Sequence, residues 1–300
     1  MTTNEYLAKV LRLQALEEGS EELKALQERR AEVEKHICAA FEKSSPTIRY
    51  GGSKAKGTMI REAYDLDIIS YFANGDTGAG ETLEDIYNNV KEALGKHYFV
   101  IPKASALRLT NLSPAHRGVD FHIDVVPGRF TDESKTDAYL YLSTGEKGRL
   151  KTNLDVHIEH VRDSGVADAI RLVKLWKVRN GVNLKSFVLE LLVIDLLQDK
   201  KTGLASQLEH IWTELRDGSE DISVEDPANP TGNDLSGIWN DSVKAELTAV
   251  ARRTLSLIEE SGWEAVFDPV EEKTATDKKD NLIRAAAAVA APSKPWSRNG

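Results

Sequence analysis

A Gly-Gly-Ser turn, set eleven residues ahead of two aspartates at the mouth of a strand, limits the folds open to this chain more than any other feature. The turn is Gly51-Gly52-Ser53, and Asp65-Leu66-Asp67 opens the β-branched and aromatic run at 67–72. Residues two apart in a strand point the same way, so Asp65 and Asp67 place two carboxylates on one face. Two such carboxylates repel unless a cation sits between them, and hard oxygen ligands suit Mg²⁺ or Mn²⁺. The glycines leave the turn's backbone bare, so its amides and the Ser53 hydroxyl can approach phosphate oxygens closely. Turn and acids together make half of a metal–triphosphate site.

The third acid has to come from a neighbouring strand. The run at 119–127 puts Asp120, His122 and Asp124 on one face and only apolar residues on the other. Periodicity alone leaves Asp120 and Asp124 as rivals for that place. Three carboxylates on adjacent strands hold two metals about 3.5–4 Å apart, the clamp used for in-line attack on a phosphoryl group. A glycine turn or an Asp-x-Asp pair is commonplace singly. Their ordered combination with a second acidic strand carries the specificity.

At 300 residues the chain makes one large domain or two ordinary ones. Residues 4–43 read as one long helix, with Leu7, Val10, Leu11, Leu23, Leu26, Val33, Ile37 and Phe41 at three-to-four spacing. Gly19-Ser20 is the point where it can break, and Pro46 stops it. A short strand at 47–50, a helix at 82–94 and strands at 98–102, 106–111, 119–126 and 138–142 follow. Helical periodicity then takes over at 166–179, 184–197, 204–215 and 238–260. This is an α+β chain with a mixed sheet and flanking helices, then a helical second lobe. The expected divisions are residues 1–155, 156–284 and a mobile tail at 285–300 ending in Gly300.

Acidic residues outnumber basic ones by 48 to 39, a net charge of −9, which excludes a general nucleic-acid or anionic-membrane binder. The single cysteine, Cys38, excludes an internal disulfide framework and a multi-cysteine zinc site. No apolar run reaches the length of about 18 residues that a membrane span needs, and residues 1–20 are too charged for a signal peptide. The expected setting is the cytoplasm. His157 and His160, three apart on a helix, lack a third metal ligand and read as surface or packing residues.

These motifs resemble the polymerase-β nucleotidyltransferase superfamily, whose signature is a Gly-Gly or Gly-Ser turn followed by Asp-x-Asp. Within it, Gly52-Ser53-Lys54-Ala55-Lys56-Gly57-Thr58 and Asp124-Val125-Val126-Pro127 are similar to the oligoadenylate synthase and cyclic GMP–AMP synthase branch. The segments Arg171-Leu172-Val173-Lys174-Leu175-Trp176 and Leu184-Lys185-Ser186-Phe187-Val188-Leu189-Glu190-Leu191-Leu192 resemble the helix pair that closes on the triphosphate there. Asp226-Pro227-Ala228-Asn229-Pro230-Thr231 matches the Asp-Pro-x-x-Pro-Thr turn of oligoadenylate synthases. In length, compact helical lobe and lack of a zinc insertion the chain looks like the bacterial CD-NTases.

The resemblance implies a bilobal polymerase-β-like fold and a Mg²⁺- or Mn²⁺-dependent enzyme using two ions. It decides the third acid in favour of Asp124. It assigns the metals to Asp65, Asp67 and Asp124, with Asp124 helping to deprotonate the attacking hydroxyl. Gly52, Ser53, Lys174 and Ser186 would hold the donor triphosphate, with Lys56 as a further candidate. The implied activity joins NTPs, ATP among them, into a cyclic di- or trinucleotide messenger of antiphage signalling. A linear oligonucleotide synthase, a nucleotidyltransferase toxin and a nucleotide sensor without turnover are the alternatives. Gly300 resembles tails joined to partners by a ubiquitin-like ligase system.

Overall fold

The computed structural model describes residues 1–16, 19–112, 120–144, 148–198, 200 and 202–270. The N-terminal helical run is two helices, not one. α1 (Thr3–Leu13) begins on a capping box formed by Thr2 and Glu5, and α2 (Glu21–Ala40) begins on Ser20, whose side chain accepts from the Leu23 amide. Gly19 lies between them at φ 81°, a left-handed conformation that costs glycine little. The break sends the two halves to different cores. Tyr6, Leu7, Val10 and Leu11 pack among the C-terminal helices, whereas Leu26, Val33 and Ile37 pack on the sheet.

β1 (Thr47–Gly51) runs into the short α3 (Gly52–Lys56) and lies antiparallel to β2 (Leu66–Phe72). α4 (Leu83–Gly95), capped by Thr82 and Asp85, leads to the antiparallel pair β3 (Phe99–Pro102) and β4 (Leu107–Thr110). β5 (Asp120–Phe130) inserts between β4 and β2, antiparallel to the first and parallel to the second, giving the mixed order β1-β2-β5-β4-β3. β6 (Ala138–Tyr141) pairs with the far end of β5, and β7 (Arg149–Thr152) pairs with β6. Periodicity does not announce β7, because Arg-Leu-Lys-Thr is short and mostly polar; it pairs on the edge that β6 offers.

One face of the sheet is covered by α2 and α4, where Leu66, Ile68, Phe72, Ile123 and Val125 meet Val33, Ile37, Ile86 and Val90. Strand alternation sends Asp67, Ile69 and Tyr71 to the other face. There Ile69 and Tyr71 pack with Phe130, Leu140 and Leu154. The chain then continues through α5 (Leu154–Arg162), α6 (Ala167–Arg179), α7 (Ser186–Leu196), α8 (Leu204–Asp217), α9 (Asp241–Ser261) and α10 (Glu264–Phe267). These helices and α1 share a core around the fully buried Trp176 and Trp212. The Trp176 indole N–H is satisfied by Thr254 Oγ1 at 2.8 Å. The architecture is therefore α+β, with a mixed sheet, flanking helices and a helical lobe. Residues 285–300, with Gly300, lie outside the described residues.

Candidate active site

The site is built where β2 and β5 lie side by side. Their parallel register sets Asp67 opposite Asp124, and the alternation that buries Ile68, Ile123 and Val125 turns both acids to the opposite face. The turn before α3 closes on the same point. Gly52 has φ 67°, and a Cβ added there would lie 1.6 Å from Asp67 Oδ2 and 2.7 Å from its Cγ. Only glycine fits, on grounds of space and of backbone conformation. Gly52 thus stands beside Asp67, as the sequence spacing suggests.

Two cations hold the acids in place. Asp124, 8% exposed, accepts from Arg108 Nε at 2.5 Å, Arg108 Nη2 at 2.9 Å and Lys103 Nζ at 2.7 Å. Arg108 Nη2 also donates to Asp65 Oδ2 at 2.7 Å. Burial alone would raise the Asp124 carboxyl, but Arg108 and then Lys103 hold it below its ordinary range. Asp67 goes the other way. Burial first, then the charges of Asp124 and Asp65, push its carboxyl up to about 7 against the pull of Lys56 and Lys103.

Strict alternation fails on β5 just before Asp124. Leu109 pairs with Ile123 but Thr110 pairs with Asp120, and His122 between them takes φ 56°. This bulge breaks the regular alternation of the strand at His122. It directs the His122 ring against Tyr64, with centroids 4.6 Å apart, and leaves Nδ1 3.6 Å from Asp65 Oδ1.

The donor types suit a hard divalent cation: three carboxylates, one of them raised by its burial and by the charges of the other two. In the conformation described, the Arg108 guanidinium bridges Asp65 and Asp124. Among the described residues no group of three or more His, Cys, Asp or Glu side chains is arranged to hold a metal ion.

The lysines fall into two sets. Lys56 Nζ donates to Glu190 Oε2 at 2.8 Å, and Lys174 Nζ donates to Glu190 Oε1 at 3.0 Å. Thr58 Oγ1 also donates to Glu190 Oε1, at 2.7 Å, and Lys174 reaches the Thr58 carbonyl at 3.2 Å. All four residues are buried. Burial would raise the Glu190 carboxyl, but the charges of Lys174 and Lys56 hold it below the ordinary range. This network ties the segment after the glycine turn to α6 and α7. Lys177, one turn beyond Lys174, donates instead to the exposed Ser186 hydroxyl at 3.3 Å. Burial and the neighbouring Lys174 charge lower the Lys177 ammonium, while Glu190 and Asp65 oppose the shift.

The Asp-Pro-x-x-Pro-Thr turn is a brace. Buried Asp226 accepts from Asn233 Nδ2 at 2.6 Å and the Ala228 amide at 2.9 Å, and pairs with His157 Nε2 at 2.7 Å. Asn233 also donates to the Lys151 carbonyl of β7. His157 is thereby a packing residue bonded to this turn, as its lack of metal partners implies. Arg108, Lys103 and the anchoring role of Glu190 are what sequence reasoning misses. Glu190 alone left a signal, a lone acid within the apolar run of α7.

Comparison with solved structures defines the class: the chain has the polymerase-β-like fold of the CD-NTases. CdnC from E. coli MS115-1, solved with ATP, superposes with a TM-score of 0.66 at 18% identity, over 89% of this chain and 98% of that one. The same CdnC in its complex with HORMA-deltaN gives 0.63 at 18% identity, over 88% and 96%. CdnG from Bradyrhizobium diazoefficiens, in complex with GTP, gives 0.66 at 14% identity, over 96% and 98%. In sequence, the chain is 24% identical over 217 residues to a cyclic AMP-AMP-AMP synthase of E. coli strain MS 115-1. That match spans 61% of this chain and 66% of the synthase. No family model matches the sequence. The expected fold class and the CD-NTase resemblance are borne out.

Three outcomes follow from this geometry. Gly52→Ala drives a methyl into the Asp67 carboxylate at a left-handed position, so unfolding free energy should fall by about 1–3 kcal/mol, with divalent-cation binding weakened. Glu190→Gln leaves two buried lysines without their counter-charge and should cost about 3–5 kcal/mol in urea unfolding. Asp67 keeps its proton to about pH 7 in the folded chain but only to about pH 4 when unfolded. Without divalent cations the folded state therefore loses stability as pH rises across that window. Asp67→Asn should raise the cation-free melting temperature at pH 8 and leave it nearly unchanged at pH 4.

Proposed function

We propose that this chain is a divalent-metal-dependent nucleotidyltransferase that joins NTPs, ATP among them, into a cyclic di- or trinucleotide and releases pyrophosphate. The observation that carries the reading is the pairing of Asp67 with Asp124 across parallel strands, with the Gly52 backbone seated against Asp67. The name of its sequence relative, a cyclic AMP-AMP-AMP synthase, and the ATP- and GTP-bound neighbours support the substrate class.

In this reading Asp65, Asp67 and Asp124 hold two Mg²⁺ or Mn²⁺ ions. Such ions, when bound, supply Lewis-acid stabilisation of the attacking and leaving oxygens. Asp124 assists removal of the acceptor hydroxyl's proton. The turn amides at Gly52 and the Ser53 hydroxyl bind the donor's phosphates. On the helical lobe we assign the triphosphate contacts to Lys177 and Ser186. Lys174 and Lys56, candidates on sequence grounds, are buried and bonded to Glu190. They take the part of anchors that set the distance between the turn and the helical lobe.

The setting proposed is antiphage signalling in the cytoplasm. Among the described residues no helix is long and apolar enough to cross a membrane. The HORMA-deltaN complex of CdnC supports a regulatory protein partner. Conjugation at Gly300 by a ubiquitin-like ligase is a separate proposal, and absence of a Gly300-linked adduct on co-expression with such ligases would count against it.

The test is incubation of the purified chain with Mg²⁺ or Mn²⁺ and four labelled NTPs, then phosphatase treatment and mass spectrometry. A phosphatase-resistant cyclic product, lost by at least a thousandfold in Asp67→Ala, is the expected result. Phosphatase-sensitive linear chains would replace cyclisation with linear synthesis. Undiminished product from Asp67→Ala would overturn the metal mechanism, and bound but unconsumed NTP would favour a sensor.

A further inference from the structure

Arg108 stands on β4 directly across from Asp124 on β5, in the antiparallel register of the two strands. Its side chain is 16% exposed, and its guanidinium engages both Asp124 oxygens and one oxygen of Asp65. Lys103, between β3 and β4, adds a second cation on Asp124 Oδ2. Asp67 receives no hydrogen bond from either of them among those described. The arginine therefore spans the outer two acids of the site.

A divalent cation on these acids would draw on the same carboxylates, at about 2.0–2.1 Å for Mg²⁺. The Arg108 guanidinium is hydrogen-bonded to both of them at 2.5–2.9 Å. Cation and guanidinium therefore compete for the negative charge of Asp65 and Asp124 and for oxygens that Arg108 engages. We propose that Arg108, assisted by Lys103, is a built-in counter-ion that the divalent cation must displace, so that Arg108 sets the cation affinity of the site. The inference rests on the reading of Asp65, Asp67 and Asp124 as metal ligands.

The device has two effects of opposite sign. Without metal, Arg108 screens carboxylates that would otherwise repel across the β2–β5 seam, and the folded site is stabilised. With metal, the same contacts must be broken, and binding is weakened. An arginine that only braced the sheet would lose stability on substitution under both conditions. One that only contacted nucleotide would leave metal affinity in its absence unchanged.

The experiment measures Mn²⁺ binding to nucleotide-free protein by electron paramagnetic resonance of free Mn²⁺, with melting temperatures taken with and without the ion. Wild type, Arg108→Gln, Lys103→Gln and Asp67→Asn are compared. Arg108→Gln should bind Mn²⁺ at least fivefold more tightly, melt lower than wild type without the ion, and gain more on adding it. Lys103→Gln, at a side chain 41% exposed, should give a smaller gain in affinity and guards against an Arg108 variant that fails to fold. Binding in wild type that Asp67→Asn abolishes, but that neither cation variant strengthens, overturns this proposal and leaves the metal site standing. Absence of saturable Mn²⁺ binding in wild type and in both cation variants, or binding that Asp67→Asn does not weaken, overturns the metal reading and this proposal with it.

Discussion

Two like charges held side by side by a β-sheet are the constraint on which the site depends. The parallel register of β2 and β5 is fixed by burial of Ile68, Ile123 and Val125 against α2 and α4, and it leaves Asp67 no choice but to face Asp124. A slip of one residue would bury the acids and expose the core, so the apolar face enforces the electrostatic strain on the other. Asp67 answers with a raised carboxyl, Asp124 and Asp65 with Arg108, and the turn with a glycine that lets backbone come within contact of a carboxylate.

The same economy links the two lobes. Glu190, inside the apolar α7, takes up Lys56 from the segment after the glycine turn and Lys174 from α6, with Thr58 closing the set. A buried ion network of this kind fixes geometry more than it adds stability. What it fixes here is the position of the glycine turn relative to α6 and α7, where Lys177 and Ser186 stand. The Asp226–His157–Asn233 brace does comparable work between the proline turn, α5 and β7.

Local spacing made the turn, the acidic pair and the Asp124 strand legible in the sequence, because each is encoded within a dozen residues. The parts written in tertiary register were not. Arg108 enters the site only because β4 lies against β5, and nothing near it in sequence says so. The bulge at His122 depends on a pairing slip against β4, which alternation along a single strand does not announce. Lys174 lies on a helical stripe that looks solvent-facing until Glu190 is brought against it. The split between α1 and α2 was visible at Gly19-Ser20, but the destination of each half in a separate core was not.

The most direct measurement is the anomalous scattering of Mn²⁺ in crystals of the chain grown with a non-hydrolysable ATP analogue. The account predicts Mn²⁺ coordinated by Asp67 and Asp124, the analogue's phosphates against Gly52 and Ser53, and the Arg108 guanidinium withdrawn from between Asp65 and Asp124. Nucleotide bound elsewhere, or Arg108 still seated on both acids with no manganese peak beside Asp67, would contradict it.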